Sequence, residues 1–462
     1  MITIDLLLPL SFISFVILYK FLFRRHTYLT LIGLATVVTF LGVFSYVRMM
    51  PWMHYPLYGA LALIVFLYFT QDIKPLTSIR IRGPLWATVV FFSLISLLLV
   101  AMFPFRTLPT PTGDHAIGTF SWVISTTREE LYGPPGSSRS FRVQAWYPSD
   151  NTDGLDVSNW LSDGTVTSRA LAQDFGFPGF IFDHLKHTPA HAYEDASILE
   201  GAFPVVIISH GWSGFRHIHT DLAEALASHG FIVLSIEHTY GSIATVLDEN
   251  DVRYLNPQAL PPRATTPDFL TYANTLVNTY AEDIQSLLDV LNQASSDAQL
   301  ERLRQAMDLD QVVLVGHSTG GGAAVKVGIT DTRVHGVIGL DAWVEPLTES
   351  SLQNGLALPS LLIRSEGWET ALNNTALFAL LEHSPTLPVA YQMEGTTHYD
   401  FGMVYMFTSI APQIGLQGSR GLTMPLTQNA IVIDFMNAFQ NTSFELSLEH
   451  YDGLTPLQPM RD

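Results

Sequence analysis

The feature that most restricts the fold of this chain is a serine between two glycines at the end of an apolar run. The run Val312 to Val315 has the composition of a buried strand, and Gly316-His317-Ser318-Thr319-Gly320 follows it directly. An Ala/Gly/Val-rich segment with helical character comes next. In a G-x-S-x-G elbow, a tight strand-to-helix turn exposes the serine hydroxyl above a sheet. Since glycine has no Cβ, the strand and the helix can approach closely there. The pattern predicts that Ser318 is a nucleophile.

Strand-like and helix-like segments alternate around this elbow. The strand-like segments are 141–148, 204–210, 231–238, 311–317, 335–343, 359–366 and 388–398. Several are continuously apolar, as strands buried on both faces are. The helix-like segments are 220–228, 272–293, 298–307, 323–328 and 370–382. This alternation predicts a mostly parallel sheet with helices on both faces.

A nucleophilic serine needs a base, normally a histidine that a carboxylate holds in one tautomer. In a sheet with a nucleophile elbow, the acid and then the histidine follow the serine along the chain. The best base is His398, because it stands in the loop EGTTHYDF directly after a strand, unlike the other later histidines, which are His335, His383 and His450. Two acids compete for the third role, since Asp341 and Glu366 each end a strand after the elbow.

The first hundred residues have a different organisation. Four apolar runs of about 19–20 residues, at 4–23, 28–47, 52–70 and 84–103, are each long enough to cross a bilayer. A secretory signal peptide has a basic start and one shorter apolar core. Here the leading segment MITID has no basic residue, and three more runs follow the first. We expect four transmembrane helices.

The basic residues between these runs indicate an orientation. Five cations lie in the first and third connecting loops, whereas the second holds Arg48 alone; the five are Arg24, Arg25, Lys74, Arg80 and Arg82. The positive-inside rule places those two loops in the cytoplasm. Because four spans return the chain to its starting side, we expect the C-terminal domain on the outer side of the cell membrane.

Charge separates the two parts of the chain. Residues 1–106 carry eight Lys/Arg and two Asp/Glu, so a formal net charge of −19 for the chain leaves −25 on the rest. Such an acidic domain argues against nucleic acid as a partner. The chain has no cysteine, which excludes disulfides, thiolate metal sites and a cysteine nucleophile.

Two histidine-rich stretches, HLKHTPAHAY at 184–193 and FRHIHT at 215–220, invite comparison with zinc sites. Their spacing matches no standard site, so we expect no metal and expect these histidines at the mouth of the active site or on the surface. A Phe-rich tract at 170–185 fits an acyl-pocket wall or a membrane-contacting lid, and equally plain core packing.

Several stretches together resemble the platelet-activating-factor acetylhydrolase family, the calcium-independent, lipoprotein-associated type of phospholipase A2. They span roughly residues 140 to 440 and are FPVVIISHGWSGFR, LASHGFIVLSIEH, YAEDIQSLLDVL, GHSTGGG, GLDAWVEPL and GTTHYDF. The resemblance implies an α/β-hydrolase fold, a serine esterase that acts on short or oxidised sn-2 acyl chains of phospholipids, and no cofactor or calcium. In that family the acid follows the strand directly after the elbow, which favours Asp341 and leaves Glu366 a structural role.

Two backbone N–H groups are expected to stabilise the oxyanion. One belongs to Thr319 at the start of the helix, and the resemblance implies Trp212 in SHGWSG for the other. The chain departs from the family twice. Met403 stands where the family pattern H-x-x-F-x-D has its Asp, although Phe401 fits, and Thr319 stands where an apolar residue is usual.

We therefore predict a transmembrane region at 1–106, a Pro/Thr/Gly-rich linker at 107–116 and an α/β-hydrolase catalytic domain at 117–462. Ser318, Asp341 and His398 would act on a lipid or small ester, with Trp212 and Thr319 as oxyanion donors. One alternative is a general carboxylesterase or polyester hydrolase on the same scaffold. Another is a non-catalytic membrane receptor with a relict hydrolase fold. The sequence does not indicate an oligomeric state.

Overall fold

The computed structural model describes residues 9–14, 16, 37, 52–70, 79–385, 389–441 and 443–457. These residues form two compact units. The first contains the described residues of Met1–Arg106 together with Phe180–Leu185 and Met406–Ile410. The second contains those of Thr107–Gly179, Lys186–Tyr405 and Ala411–Asp462. The division of the sequence into membrane region, linker and catalytic domain stays a prediction.

Two long helices dominate the described part of the first unit. A 3-10 turn at Trp52–His54 leads into α1 (Tyr55–Phe69), and α2 spans Ile79–Met102. The segments Trp52–Phe69 and Arg80–Met102 are long and apolar enough to cross a membrane, by length and composition. They correspond to the third and fourth predicted runs. Of the first run, 4–23, the structure describes only residues 9–14 and 16, and of the second, 28–47, only residue 37.

Small and polar groups join these two helices. A Cβ on Gly59 would come within 3.2 Å of the Phe92 ring, so the glycine lets α2 approach α1 closely. The buried hydroxyl of Ser96 donates to the carbonyl of Met53 at 2.8 Å. Because this hydroxyl is paired, its burial between apolar helices carries no penalty for an unsatisfied donor.

Two short segments from far along the sequence complete the first unit. The Trp52 indole donates to the Ile181 carbonyl at 3.0 Å. The buried ring of Phe182 packs against Phe103 and Phe407, at centroid distances of 6.2 and 5.7 Å. The Thr408 hydroxyl donates at 2.6 Å to the carbonyl of Met102, the last residue of α2. The Phe-rich tract thus contributes core packing at this position.

The second unit is built on a mixed sheet, which within the described residues has eleven strands. Its six central strands are parallel, in the spatial order Val389–Met393, Ser360–Ser365, Gly336–Leu340, Met307–His317, Phe203–Ser209 and Ile232–Glu237, and Ser138–Ser149 joins the last of these antiparallel. The bounds are β1 Ala116–Glu129, β2 Ser138–Ser149, β3 Val157–Asn159, β4 Pro189–Glu194, β5 Phe203–Ser209, β6 Ile232–Glu237, β9 Met307–His317, β10 Gly336–Leu340, β11 Ser360–Ser365, β12 Val389–Met393 and β13 Leu454–Pro456. A separate hairpin consists of β7 (Ala244–Asp248) and β8 (Asp251–Tyr254).

Helices cover both faces of this sheet. They are α3 Thr165–Asp174, α4 Thr220–Ser228, α5 Phe269–Leu291, α6 Ala298–Gln305, α7 Thr319–Thr330, α8 Glu349–Asn354, α9 Asn373–His383 and α10 Thr423–Phe439. In β5, Val205 and Ile207 pack in one apolar core with α5 and α7, whereas Val206 and Ile208 pack in the other with α4 and α10. Continuously apolar strands are therefore buried on both sides. The expected α/β architecture is present, with a sheet that is mixed rather than parallel at its edges.

Candidate active site

The elbow at Ser318 has the strained backbone that the motif requires. Ser318 lies between the end of β9 and the start of α7, with φ 54° and ψ −120°. This is a left-handed conformation that non-glycine residues adopt only under constraint. A Cβ on Gly316 would lie 2.3 Å from the Gly320 carbonyl oxygen, and one on Gly320 would lie 2.1 Å from the Ser209 carbonyl oxygen. Both glycines are thus required by close backbone packing.

Asp341 and His398 form a hydrogen-bonded pair in which the carboxylate is buried and the imidazole is partly exposed. Asp341 follows β10, and its fully buried carboxylate accepts from the Nδ1–H of His398 at 3.0 Å. The same carboxylate accepts from the backbone N–H of Ser365 at 2.6 Å and from its hydroxyl at 2.5 Å. Since His398 donates through Nδ1, its Nε2 keeps a lone pair that can take a proton.

Two further contacts join the elbow to this pair. The Ser318 N–H donates to the carbonyl of Leu340 at 3.1 Å, which ties the elbow to the end of β10. The neighbouring His317 donates through Nε2 to the carbonyl of His398 at 2.9 Å. Burial lowers the pKa of His317 well below its usual range, so this ring stays neutral and keeps one donor. Ser318, Asp341 and His398 accordingly lie in one site at the carboxyl edge of the parallel strands.

The residue in closest ring contact with His398 is one that the sequence pattern did not predict. The Trp368 indole stacks on the His398 imidazole at a centroid distance of 4.1 Å and an interplanar angle of 3°. Trp368 ends a short 3-10 turn after β11, next to Glu366. The Glu366 carboxylate accepts from the N–H of Gly395 at 2.6 Å and so connects this turn to the His398 loop. The one feature of the sequence that could have indicated this contact is the tryptophan in the segment IRSEGWE, at the end of a strand.

A carboxylate anchors the His398 loop even though Met403 replaces the Asp of the family pattern. Asp400 accepts from the N–H groups of Thr397 and Gly418, both at 2.7 Å, and forms a capping box with Thr397. Met403 itself is fully buried. The loop is therefore supported by Asp400, three residues before the expected position.

The segment after β5 lies directly against the elbow. A Cβ on Gly211 would come within 2.9 Å of the Ser318 Cβ, so only glycine fits. Within the part of the chain that the structure describes, the N–H groups of Trp212 and Thr319 have no hydrogen-bond acceptor. Thr319 is also the first residue of α7, where the helix dipole favours negative charge. The assignment of these two N–H groups as oxyanion donors stays a prediction.

The histidines of the two histidine-rich stretches were expected at the mouth of the active site or on the surface, and this is wrong for three of these histidines. His184, His217 and His219 are buried. His217 bonds the Ser162 hydroxyl through Nε2 at 3.1 Å, and the His219 ring contacts the His317 ring at 5.8 Å. Burial lowers the pKa of His219 to about 4, so it is neutral. In the described ranges, no group of three His, Cys, Asp or Glu side chains is arranged to hold a metal ion.

Comparisons with known proteins agree with this architecture. The family model for platelet-activating factor acetylhydrolase, isoform II, matches residues 101–450. The platelet-activating factor acetylhydrolase of Canis lupus familiaris is 25% identical over 324 residues, which cover 65% of this chain and 68% of the relative. Cutinase 2 of Thermobifida cellulosilytica is 26% identical over 200 residues, 43% of this chain and 61% of the relative.

Structural similarity supports the fold independently. A ferulic acid esterase from Streptomyces cinnamoneus superposes with a TM-score of 0.61 at 20% identity, covering 77% of this chain and 100% of the esterase. The fold is thus that of α/β-hydrolases, and the family model covers most of the chain. This protein belongs to the platelet-activating factor acetylhydrolase isoform II family and is a carboxylic ester hydrolase.

Proposed function

We propose that this protein is a membrane-anchored serine esterase that hydrolyses short or oxidised sn-2 acyl esters of phospholipids. The observation that carries the chemistry is the hydrogen bond between the buried Asp341 and His398, beside the strained elbow of Ser318. This hydrogen bond leaves the His398 Nε2 lone pair ready to accept a proton.

In the first step, the Ser318 Oγ attacks the ester carbonyl carbon while its proton passes to Nε2 of His398. The carbonyl electron pair moves to oxygen, and the N–H groups of Trp212 and Thr319 stabilise the resulting oxyanion. When the tetrahedral intermediate collapses, the C–O bond to the alcohol breaks and His398 returns the proton to the alcohol. The lysophospholipid leaves, and the acyl group stays on Ser318.

In the second step, water repeats the sequence in place of serine. His398 takes a proton from water as the oxygen attacks the acyl carbon, and the same two N–H groups stabilise the second oxyanion. As the intermediate collapses, the bond between the acyl carbon and Oγ of Ser318 breaks, His398 returns the proton to Oγ, and the carboxylic acid leaves. Asp341 stabilises the imidazolium of His398 in both steps. Because the two N–H groups stabilise the oxyanion, the proposed mechanism needs no metal ion to polarise the ester.

The proposed substrate rests on the family. The curated mammalian relatives are named platelet-activating factor acetylhydrolases, and their similarity extends over about two thirds of this chain. A phospholipid with an acetyl or another short sn-2 chain is therefore the first substrate to test.

Replacing Ser318 with alanine tests the nucleophile. The variant should lose at least 10³-fold in kcat on an acetyl ester, because the members of a triad act as a unit. It should also fail to react with a fluorophosphonate probe that labels the unaltered protein. An unchanged thermal midpoint provides the control for folding. Activity of the variant within tenfold of the unaltered protein would refute the assignment.

The similarity to cutinases favours a second candidate, a general carboxylesterase or polyester hydrolase. Rates on an acetyl phospholipid, a nitrophenyl ester and a polyester film distinguish the two functions. A lipase of the proposed kind prefers the phospholipid in kcat/KM. A failure of the fluorophosphonate probe to label the unaltered protein would instead support the non-catalytic receptor.

The membrane proposal rests on the apolar segments and the loop charges. Two of the four apolar runs form helices long enough to span a bilayer. Of the five cations assigned to the first and third loops from the sequence, Arg80 and Arg82 lie in the first turn of α2, at the end of the helix that follows the third loop. Under the positive-inside rule, the catalytic domain faces outer-leaflet lipid. C-terminal fusions to one reporter active only outside the cell and one active only in the cytoplasm test this orientation. Activity of the cytoplasmic reporter alone would overturn it.

A further inference from the structure

His210 directly precedes Gly211 and Trp212, the residues that supply one proposed oxyanion donor. It is fully buried and takes no part in the chemical steps above. Its Nδ1 contacts the carbonyl oxygen of the next residue, Gly211, at 2.7 Å. Its Nε2 lies 3.2 Å from the backbone nitrogen of His238 and 2.9 Å from the Ser242 hydroxyl. Both ring nitrogens of His210 thus have hydrogen-bond partners within the fold.

The neighbours of His210 determine its tautomer. The backbone N–H of His238 can only donate, so Nε2 must accept and carry the lone pair. The single proton of the neutral ring therefore resides on Nδ1, where it is donated to the Gly211 carbonyl. Burial lowers the pKa of His210 well below its usual range, which keeps the ring neutral.

The Gly211 carbonyl and the Trp212 N–H belong to the same peptide group. A trans peptide is planar, and its C=O and N–H point in opposite directions. Fixing the direction of the carbonyl therefore fixes the direction of the N–H. The carbonyl also accepts from the N–H of Gly214 at 3.0 Å. Because Gly211 lacks a Cβ that would restrict its backbone, these hydrogen bonds carry the restraint.

A second buried group holds the donor to His210 in place. The His238 ring bonds Asp283 through Nδ1 and the Ser209 hydroxyl through Nε2, both at 2.9 Å. It also stacks on Tyr280 at 3.7 Å and 14°. These side chains are buried. Hydrogen bonds at both ring nitrogens hold the His238 side chain in place, and this restrains the His238 backbone N–H that donates to His210.

We propose that His210 is a positioning residue, whose ring holds the Gly211–Trp212 peptide with its N–H directed at the oxyanion. The inference rests on the proposed function, because it assigns Trp212 as an oxyanion donor. His210 acts through that peptide and does not touch the substrate. It should affect the transition state, in which the oxyanion exists, and leave ground-state binding nearly unchanged.

Two amide variants separate this role from a packing role. His210→Asn places its side-chain N–H close to the position of Nδ1 and can still donate to Gly211. His210→Gln carries its amide one atom further, near Nε2, and lacks that donor. We expect kcat on nitrophenyl acetate to fall about 100-fold in His210→Gln, the loss typical of one oxyanion donor. In His210→Asn it should fall less than tenfold, and KM should change less than threefold in both.

A transition-state analogue provides the second measurement. A trifluoromethyl ketone forms a hemiketal with the nucleophilic serine and places an oxyanion in the same position. Its affinity for the two variants should fall in parallel with kcat/KM. Thermal midpoints of both full-length variants provide the control for folding.

The outcomes distinguish this inference from the proposed function. If the unaltered protein is active and both variants lose kcat equally, or His210→Gln keeps its kcat, His210 does not position the peptide and the proposed function stands. If the unaltered protein fails to hydrolyse the ester, the proposed function fails. If neither variant folds, Ser242→Ala removes one partner of Nε2 and should lower kcat about 3- to 10-fold at constant KM; an unchanged kcat would overturn the inference.

Discussion

Replacing Asp341 with asparagine changes the charge and the donor pattern at one buried position while conserving its shape. The amide oxygen can take the place of Oδ1 and accept from the Ser365 N–H, which lies 2.6 Å away in the native protein. The amide NH₂ then occupies the position of Oδ2, 3.0 Å from Nδ1 of His398. Two donors would face each other there, so His398 must move its proton to Nε2.

The size of the effect follows from this change of tautomer. With its proton on Nε2, His398 presents a donor to Ser318 and cannot accept the serine proton. The neutral amide also removes the charge that stabilises the imidazolium. A correctly folded enzyme with the wrong tautomer loses about 10⁴-fold in kcat, which corresponds to about 5.4 kcal/mol of transition-state stabilisation.

Steady-state hydrolysis of nitrophenyl acetate measures this loss, and Glu366→Gln provides the matched control. Glu366 directly follows β11, the next strand along the chain, and its carboxylate accepts only from the Gly395 N–H in the described structure. Its amide variant should therefore keep its kcat within about tenfold, a loss of the size expected for one hydrogen bond. A larger loss in Glu366→Gln than in Asp341→Asn would move the acid to the later strand and refute the assignment.

Two other substitutions test features that lie beyond the triad. Trp368→Ala should lower kcat about 2- to 30-fold, because the stacked indole stabilises the imidazolium by about 0.5–2 kcal/mol. Trp368→Phe should recover part of the loss, and an unchanged kcat in Trp368→Ala would contradict a role for the stack. Burial raises the pKa of Glu224 from 4.5 to about 7, so its favourable effect on folding is complete below pH 4.5 and is lost as the pH rises through 7. Glu224→Gln keeps an acceptor for the N–H groups of His191 and Ala192. Denaturant unfolding should show that the substitution raises the free energy of unfolding by up to about 3 kcal/mol more at pH 8 than at pH 5. An equal increase at both pH values would contradict the ionisation of Glu224.

The apolar strands could be predicted from the sequence because burial on both faces leaves a continuous signal. The segments predicted at 204–210 and 231–238 correspond to β5 and β6 within two residues, and α4 was predicted with its observed bounds. In contrast, β1 was not predicted, because its sequence AIGTFSWVISTTRE is rich in Ser and Thr, and its first residue was assigned to the linker. Nor was α10 predicted, which has no side-chain cap to mark its start.

The site was partly predictable for a similar reason. Motif spacing and chain order identified Ser318, Asp341 and His398 as candidates, and these residues lie together. Their catalytic roles stay predictions. The contacts of Trp368 and His210 depend on which loops meet after the sheet has formed, and neither residue has a local pattern that encodes its partner. The burial of His217 and His219 could likewise not be predicted from the sequence, because a polar segment can be covered by residues that are distant in the chain.

The two distant segments in the first unit have a practical consequence for cutting the chain. A fragment that begins after Arg106 would look complete from its sequence, yet it would carry Phe182 and Phe407 without Phe103. Thr408 would also lose the Met102 carbonyl that its hydroxyl bonds. Such a fragment should aggregate in aqueous buffer, and it should need detergent or polar substitutions at these two phenylalanines to remain soluble. Expression of the catalytic domain for crystallography is better begun with the whole chain than with a cut at its apparent boundary.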